Sequence, residues 1–164
     1  MHGEKERNVS ILSLTTLLAL AGFFSWYYLF PLYLKSLGAT DTIIGILYTF
    51  FNLGFTISQI FGGYLADRFG RKVVIAWPTL IIALLYLLIP LSKGWLMASF
   101  LCFLSFVASA IQWPAFTAML GESSKKRGSG FGKFEFFLGI GLGVGPLLGS
   151  FFVARIGIEG VIIA

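Results

Sequence analysis

The residues able to do chemistry in this chain are few and crowded. Gly63, Asp67, Arg68, Gly70, Arg71 and Lys72 all fall in one short string, GYLADRFGRK. Opposite charges that close together build an ion-pair cluster, which one arrangement of the surroundings holds and another releases. Elsewhere, polar groups interrupt long apolar runs at Asn52, Gln59, Gln112 and Glu135. Asn52 and Gln59 lie two helical turns apart and so share a face. Glu135 is the one carboxylate inside an apolar run. A proton or cation site fits it, and so does an acid that snorkels to Lys133 or Arg127. Nucleophilic and metal chemistry lack material. One cysteine (Cys102) and one histidine (His2) give no disulfide framework, no metal-ligand set and no histidine-centred catalysis. Neither an enzyme nor a bound metal or cofactor is expected, and no G-x-x-x-x-G-K-[ST] phosphate loop occurs.

The elements that must carry these residues are set by composition. Of 164 residues, 57% are hydrophobic and only 12% charged, with a mean hydropathy of +0.90. A soluble domain carries roughly a quarter charged residues, so a water-exposed globule is excluded and an integral membrane protein remains. Five runs are long enough to cross a bilayer as helices and too long for barrel strands. They cover about 11–33, 42–66, 73–91, 95–120 and 131–153, with residues 1–10 ahead of them and a sixth run cut short from about 160. The first run continues unbroken past Ala21 to Leu34, which suits a span better than a cleaved signal. The net charge of +5 is gathered in short clusters between runs, so no basic face for nucleic acid exists. Lys5, Arg7, Arg68, Arg71, Lys72, Lys125, Lys126, Arg127 and Lys133 fall on one side, against Lys35, Lys93 and Arg155 on the other. The positive-inside rule then puts the N-terminus in the cytoplasm of a multi-pass protein of the cell membrane.

A weak internal repeat accompanies this topology. Pairing residues 52–70 with 139–157 lays Gly54, Gly62, Arg68 and Gly70 on Gly141, Gly149, Arg155 and Gly157. Ser58 falls on Gly145 and Gly63 on Ser150. The second and fifth spans cross in opposite senses, so the repeat is an inverted one of three helices plus three.

The string from Gly63 to Lys72 resembles the signature loop of the major facilitator superfamily, G-x-x-x-D-R-x-G-R-K, and lies in the expected place between the second and third spans. Gly132, Gly141, Gly145, Pro146 and Gly149 resemble the antiporter-type motif of that family, G-x8-G-x3-G-P-x2-G-G, with Ser150 replacing the last glycine. The resemblance runs from Pro31 through Ser150 and implies the N-terminal half of an alternating-access secondary transporter, of the efflux or exchange kind. It implies that Asp67 faces a helix of the other half. It also implies that Arg71 joins a charge cluster with Glu122 at the end of the fourth span, and that a bend at Pro146 seals the outer side. Its partners would be the bilayer, a small-molecule substrate, a coupling ion and a second six-helix bundle. Trp95 to Leu120 holds no arginine, although proton-coupled efflux members usually carry one near the place of Cys102. The usual proton-coupling arrangement is therefore not implied.

Three alternatives stay open: a fragment of a longer transporter, a half-transporter needing a partner chain, and a non-transporting scaffold or regulatory subunit. For the substrate cavity the candidates are Phe24, Tyr27, Asn52, Gln59, Gln112 and Glu135, the aromatic pair suiting amphipathic or cationic ligands. The third span, nearly all Ile, Leu, Ala and Tyr between Pro78 and Pro90, reads as a lipid-facing support.

Overall fold

Inside a bilayer the backbone has no water to bond, so an apolar segment satisfies itself as a helix. The computed structural model describes residues 2–123 and 127–163, without the side chains of residues 2–10 and 158–163 and of Leu12, Ser123, Arg127, Ser129 and Ile156. Among the described residues six α-helices follow one another: α1 (His2–Tyr27), α2 (Phe30–Ser36), α3 (Asp41–Phe69), α4 (Arg71–Leu88), α5 (Trp95–Ser123) and α6 (Arg127–Ile163). A 3₁₀ turn at Ile89–Leu91 extends α4. Five stretches among the described residues are long and apolar enough to cross a membrane: Ser13–Ser36, Asp41–Phe69, Arg71–Leu91, Trp95–Glu122 and Phe131–Arg155. These are the five expected spans, and the fold is an all-α membrane fold.

Several ends differ from the expectation, each for a local reason. Residues 2–10, ahead of the first span, are helical and continuous with α1. The first span is two helices: the Leu29 N–H donates to Trp26 O at 2.9 Å and closes a tight turn between α1 and α2. Pro31 explains the break, because it offers no N–H to the Tyr27 carbonyl and its ring crowds that oxygen. α5 runs on to Ser123 and α6 begins at Arg127, so both helices continue beyond the expected span ends at 120 and 131. Lys125 and Lys126 lie outside the described residues. The expected gap between the fifth and sixth runs is replaced by a single non-helical residue, Gly157 (φ 76°, ψ 171°), within α6.

The link from α2 to α3 is a glycine cap. Gly38 (φ 92°) donates to Lys35 O at 2.9 Å and Ala39 to Leu34 O at 2.9 Å, the double bond pattern that ends a helix on a positive-φ glycine. Thr40 then caps α3, accepting from Ile43 N–H at 3.4 Å.

The chain divides into two compact units. One holds the chain through Phe30 together with Ala118–Ile162; the other is built on Pro31–Thr117. In the second unit Phe51, 1% exposed, stacks on Phe106 at 5.5 Å, and Gly54 lies under the Phe103 ring. Gly62 meets the Ile111 backbone. Ala66, Val74 and Ala115 bury together with Leu65, Ile75 and Ile111 around them, tying α3, α4 and α5. The Tyr33 hydroxyl donates to Ile89 O at 3.2 Å, fastening α2 to the 3₁₀ turn.

The first unit uses the same device with other glycines. A Cβ on Gly141 would lie 3.1 Å from Leu20 Cβ and 3.2 Å from Leu17 O; one on Gly145 would lie 2.7 Å from Phe24 Cβ and 2.9 Å from Ala21 O. Gly149 sits against Ser25 O. α1 and α6 therefore touch along a glycine seam, as α3 and α5 do. The repeat read in the sequence reappears as packing: Gly54 and Gly62 face α5 as Gly141 and Gly149 face α1. Gly70 (φ 85°) and its counterpart Gly157 (φ 76°) both take positive φ at the ends of these segments.

Candidate functional site

Around the charged string, α3 extends past the expected end at Ala66 to Phe69, because the Gly70 N–H donates to Ala66 O at 3.1 Å and caps the last turn. Gly70 (φ 85°, ψ 143°) reverses the chain, and its carbonyl accepts from Val74 N–H at 3.2 Å to open α4. That backbone conformation belongs to glycine almost alone. Asp67 and Arg68 thus stand on the final turn of α3, and Arg71 and Lys72 on the first turn of α4. Asp67, Arg68 and Lys72 are exposed and Arg71 is half-buried. Arg68 donates to the Tyr64 hydroxyl at 3.3 Å and lies 5.4 Å from the centre of the Phe69 ring.

The signs of these charges are informative. A carboxylate at a helix C-terminus and cations at a helix N-terminus both oppose the helix dipole. Asp67 occupies the first kind of place, and Arg71 and Lys72 the second. Glu122, exposed near the end of α5, is also an acid at a C-terminus. The helix dipole favours none of these four. Arg71 belongs to the second unit and Glu122 to the first.

At the head of the string, the glycine that packs is the one just before the signature glycine. A Cβ on Gly63 would meet open space, whereas Gly62 beside it is held against α5. The second glycine set divides the same way. Gly141, Gly145 and Gly149 are buried on α1, but Gly132 is exposed and meets nothing. Nine residues in a helix turn through about 900°, so Gly132 stands on the face opposite Gly141. Pro146 lies inside α6, half-buried, and the departure from helical geometry falls at Gly157.

The cavity candidates separate between the units. Phe24, Tyr27 and Glu135 belong to the first, and Asn52, Gln59 and Gln112 to the second. Tyr27 stacks on Phe23 at 5.0 Å and Phe24 on Tyr28 at 5.4 Å, while the Cβ of Phe24 supports Gly145. Phe24 is thus a member of the glycine seam. Asn52 is exposed and donates to its own helix, Tyr48 O, at 2.7 Å; Gln59 is half-buried. Glu135 is exposed on α6, and the side chain of Arg127, one expected partner, lies outside the described residues. Gln112 is half-buried and bonded at 2.8 Å to Thr79 of α4. Thr79 was absent from the sequence candidates, since one hydroxyl in a Leu/Ile-rich span carries no signal until the facing helix is known. No group of three or more metal-ligating side chains occurs among the described residues.

Comparison with known proteins agrees with this architecture. The family profile of the Major Facilitator Superfamily matches residues 12–164. An uncharacterized MFS-type transporter of Methanocaldococcus jannaschii is 27% identical over 96% of this chain and 41% of its own length. A Na(+), Li(+), K(+)/H(+) antiporter of Planococcus maritimus is 34% identical over 57% of the chain and 24% of its own length. The quinolone resistance protein NorA of Staphylococcus aureus is 25% identical over 74% of the chain and 32% of its own length. The chain spans well under half the length of each. Its five spans and the profile match over nearly every residue show that this chain belongs to the Major Facilitator Superfamily.

Proposed function

We propose that this chain is the N-terminal half of a secondary active transporter that works by alternating access and exports small solutes. A second six-helix bundle, in the same longer chain or a separate one, completes the path. The protein sits in the plasma membrane with its N-terminus in the cytoplasm, and the turn from Gly63 to Lys72 is a cytoplasmic latch. The observation that carries the reading is the placement of Asp67, Arg71 and Lys72 against the dipoles of their own helices around the Gly70 hinge. Charges set against the dipole of their own helix are suited to a partner outside it. In this reading Asp67 meets a helix of the second bundle in one state and leaves it in the other. Relatives named as an antiporter and as a quinolone resistance protein support exchange or efflux. The glycine seam of α6, with Pro146 within it, would close the outer side.

The test is Asp67→Asn in the full-length protein reconstituted in vesicles. Solute flux should fall by about tenfold, equivalent to roughly 1.4 kcal/mol in the barrier, while the amount inserted in the membrane stays the same. Unchanged flux would remove the latch.

A further inference from the structure

Packing and turns account for three of the four identities in the internal repeat. Gly54, Gly62 and Gly70 recur as Gly141, Gly149 and Gly157 where helices approach closely or the backbone takes a positive φ. Arg68, which recurs as Arg155, does neither. In the same register Ile57, Phe61, Tyr64 and Arg68 fall on Val144, Leu148, Phe151 and Arg155. Steps of four, three and four residues keep each set on one face of its helix. Every member of both sets is exposed, whereas Gly62 and Gly149 are buried on other faces. Such apolar stripes on a membrane-spanning helix are contact surfaces for lipid. Each stripe ends on its arginine, at the end of the spans Asp41–Phe69 and Phe131–Arg155, where the hydrocarbon gives way to the headgroups. The aromatic one turn earlier holds each guanidinium. Arg68 donates to the Tyr64 hydroxyl at 3.3 Å and stands 5.4 Å from the centre of the Phe69 ring; Arg155 stands 4.7 Å from the centre of the Phe151 ring. Neither arginine meets a carboxylate among the described residues. A guanidinium laid over a ring keeps its in-plane N–H groups free, and their fork matches the oxygens of a phosphate. The acid is not repeated: Asp67 falls on Ala154, so the arginine recurs without the charge beside it.

We propose that Arg68 and Arg155 form two repeat-related lipid sites, each binding the phosphate of an anionic phospholipid whose acyl chains lie along the stripe leading to it. Tyr64 and Phe151 are positioning residues that hold the guanidinium at headgroup level. The occupant is a lipid because the stripe below each arginine is apolar and the arginine above it lacks an anion. Inorganic phosphate presents the same oxygens but no chains, so the stripe adds nothing to its binding. This goes beyond the transporter reading and holds whether or not the chain moves a solute. It also divides the charged string. Asp67 stands about 100° round α3 from Arg68, so the acid can face protein while the arginine faces lipid.

The test is native mass spectrometry of the full-length protein in detergent, titrated with phosphatidylglycerol and, separately, with phosphatidylcholine. The wild type should hold phosphatidylglycerol in preference to phosphatidylcholine. Arg68→Gln and Arg155→Gln should each weaken one phosphatidylglycerol molecule about fivefold, and the double variant two, with phosphatidylcholine binding unchanged. Tyr64→Leu and Phe151→Leu keep the charge and should weaken the same two lipids. Lys93→Gln, an exposed cation outside both stripes, should change nothing. Should a glutamine variant fail to fold, the lysine variant at that position keeps the charge but not the fork, and should still bind about twofold more weakly. Equal binding of the two lipids by the wild type, or unaltered phosphatidylglycerol binding in either arginine variant, overturns the proposal. Displacement by millimolar inorganic phosphate overturns the lipid as occupant. An Arg68→Gln protein that keeps its lipids and melts earlier would assign Arg68 to a carboxylate of the second bundle, and that too overturns it. The transporter reading falls separately, if the reconstituted protein moves no solute under any imposed ion gradient.

Discussion

At the scale of single residues, adjacent glycines in this chain do different work. Gly62 is buried against the Ile111 backbone, while a side chain on Gly63 would enter open space. A backbone neighbour cannot rotate away as a flexible side chain can, so an added methyl forces the helices apart. Gly62→Ala should therefore destabilise by about 1–3 kcal/mol, the usual cost of overpacking. Gly63→Ala should leave thermal unfolding in detergent unchanged, and under the latch reading it should still slow flux. Gly149 and Gly132 make the matching pair on α6. Gly149→Ala meets Ser25 O and should lower the unfolding temperature, whereas Gly132→Ala should be neutral. Equal melting of Gly62→Ala and Gly63→Ala would contradict the seam as described. The charges at Asp67, Arg71 and Lys72 belong to this scale too, each placed against the dipole of its own helix.

At the scale of elements, the turn between α3 and α4 depends on one backbone conformation. Gly70 has φ 85° and ψ 143°, a region essentially barred to other residues. Gly70→Ala should cost about 1–3 kcal/mol through strain alone, with no steric contact to relieve because open space surrounds the position. Thermal unfolding checks it, and a neutral result would mean that the turn can take another shape. The five spans were legible in the sequence because twenty apolar residues in a row have one solution in lipid. The repeat was legible as spacing, and its contacts follow that spacing. Helix ends were less legible. Gly70 bonding back to Ala66 lengthens α3 through Phe69, and this cap depends on backbone dihedrals that composition does not encode. The break at Leu29 had a signal in Pro31, which was read only as the start of the family resemblance. The choice between Gly62 and Gly63 had none, because which face of a helix meets its neighbour depends on the neighbour. Gln112 stood among the cavity candidates for the same reason, and its bond to Thr79 required both helices.

At the scale of the whole molecule, two units are built by one rule: a glycine-bearing helix laid on a helix of larger residues, closed by a positive-φ glycine. That economy follows from lipid as solvent. Between apolar helices burial gains little, so close approach and backbone contact supply the association. The sense in which the spans cross the membrane then decides which ends of these helices face the cytoplasm. Nine basic residues against three set the expected sense, and single cysteines can read it. Cys102 is fully buried, so it should stay unreactive to an impermeant maleimide, and Cys102→Ser removes it altogether. Lys72 and Lys93 are both exposed, at opposite ends of the third span. In the full-length protein, Lys93→Cys should label on intact cells and Lys72→Cys only after the membrane is permeabilised. The reverse pattern would put the turn from Gly63 to Lys72 outside, where it could not latch the cytoplasmic face. It would also set Arg68, Arg71 and Lys72 against the charge asymmetry that orients other membrane proteins.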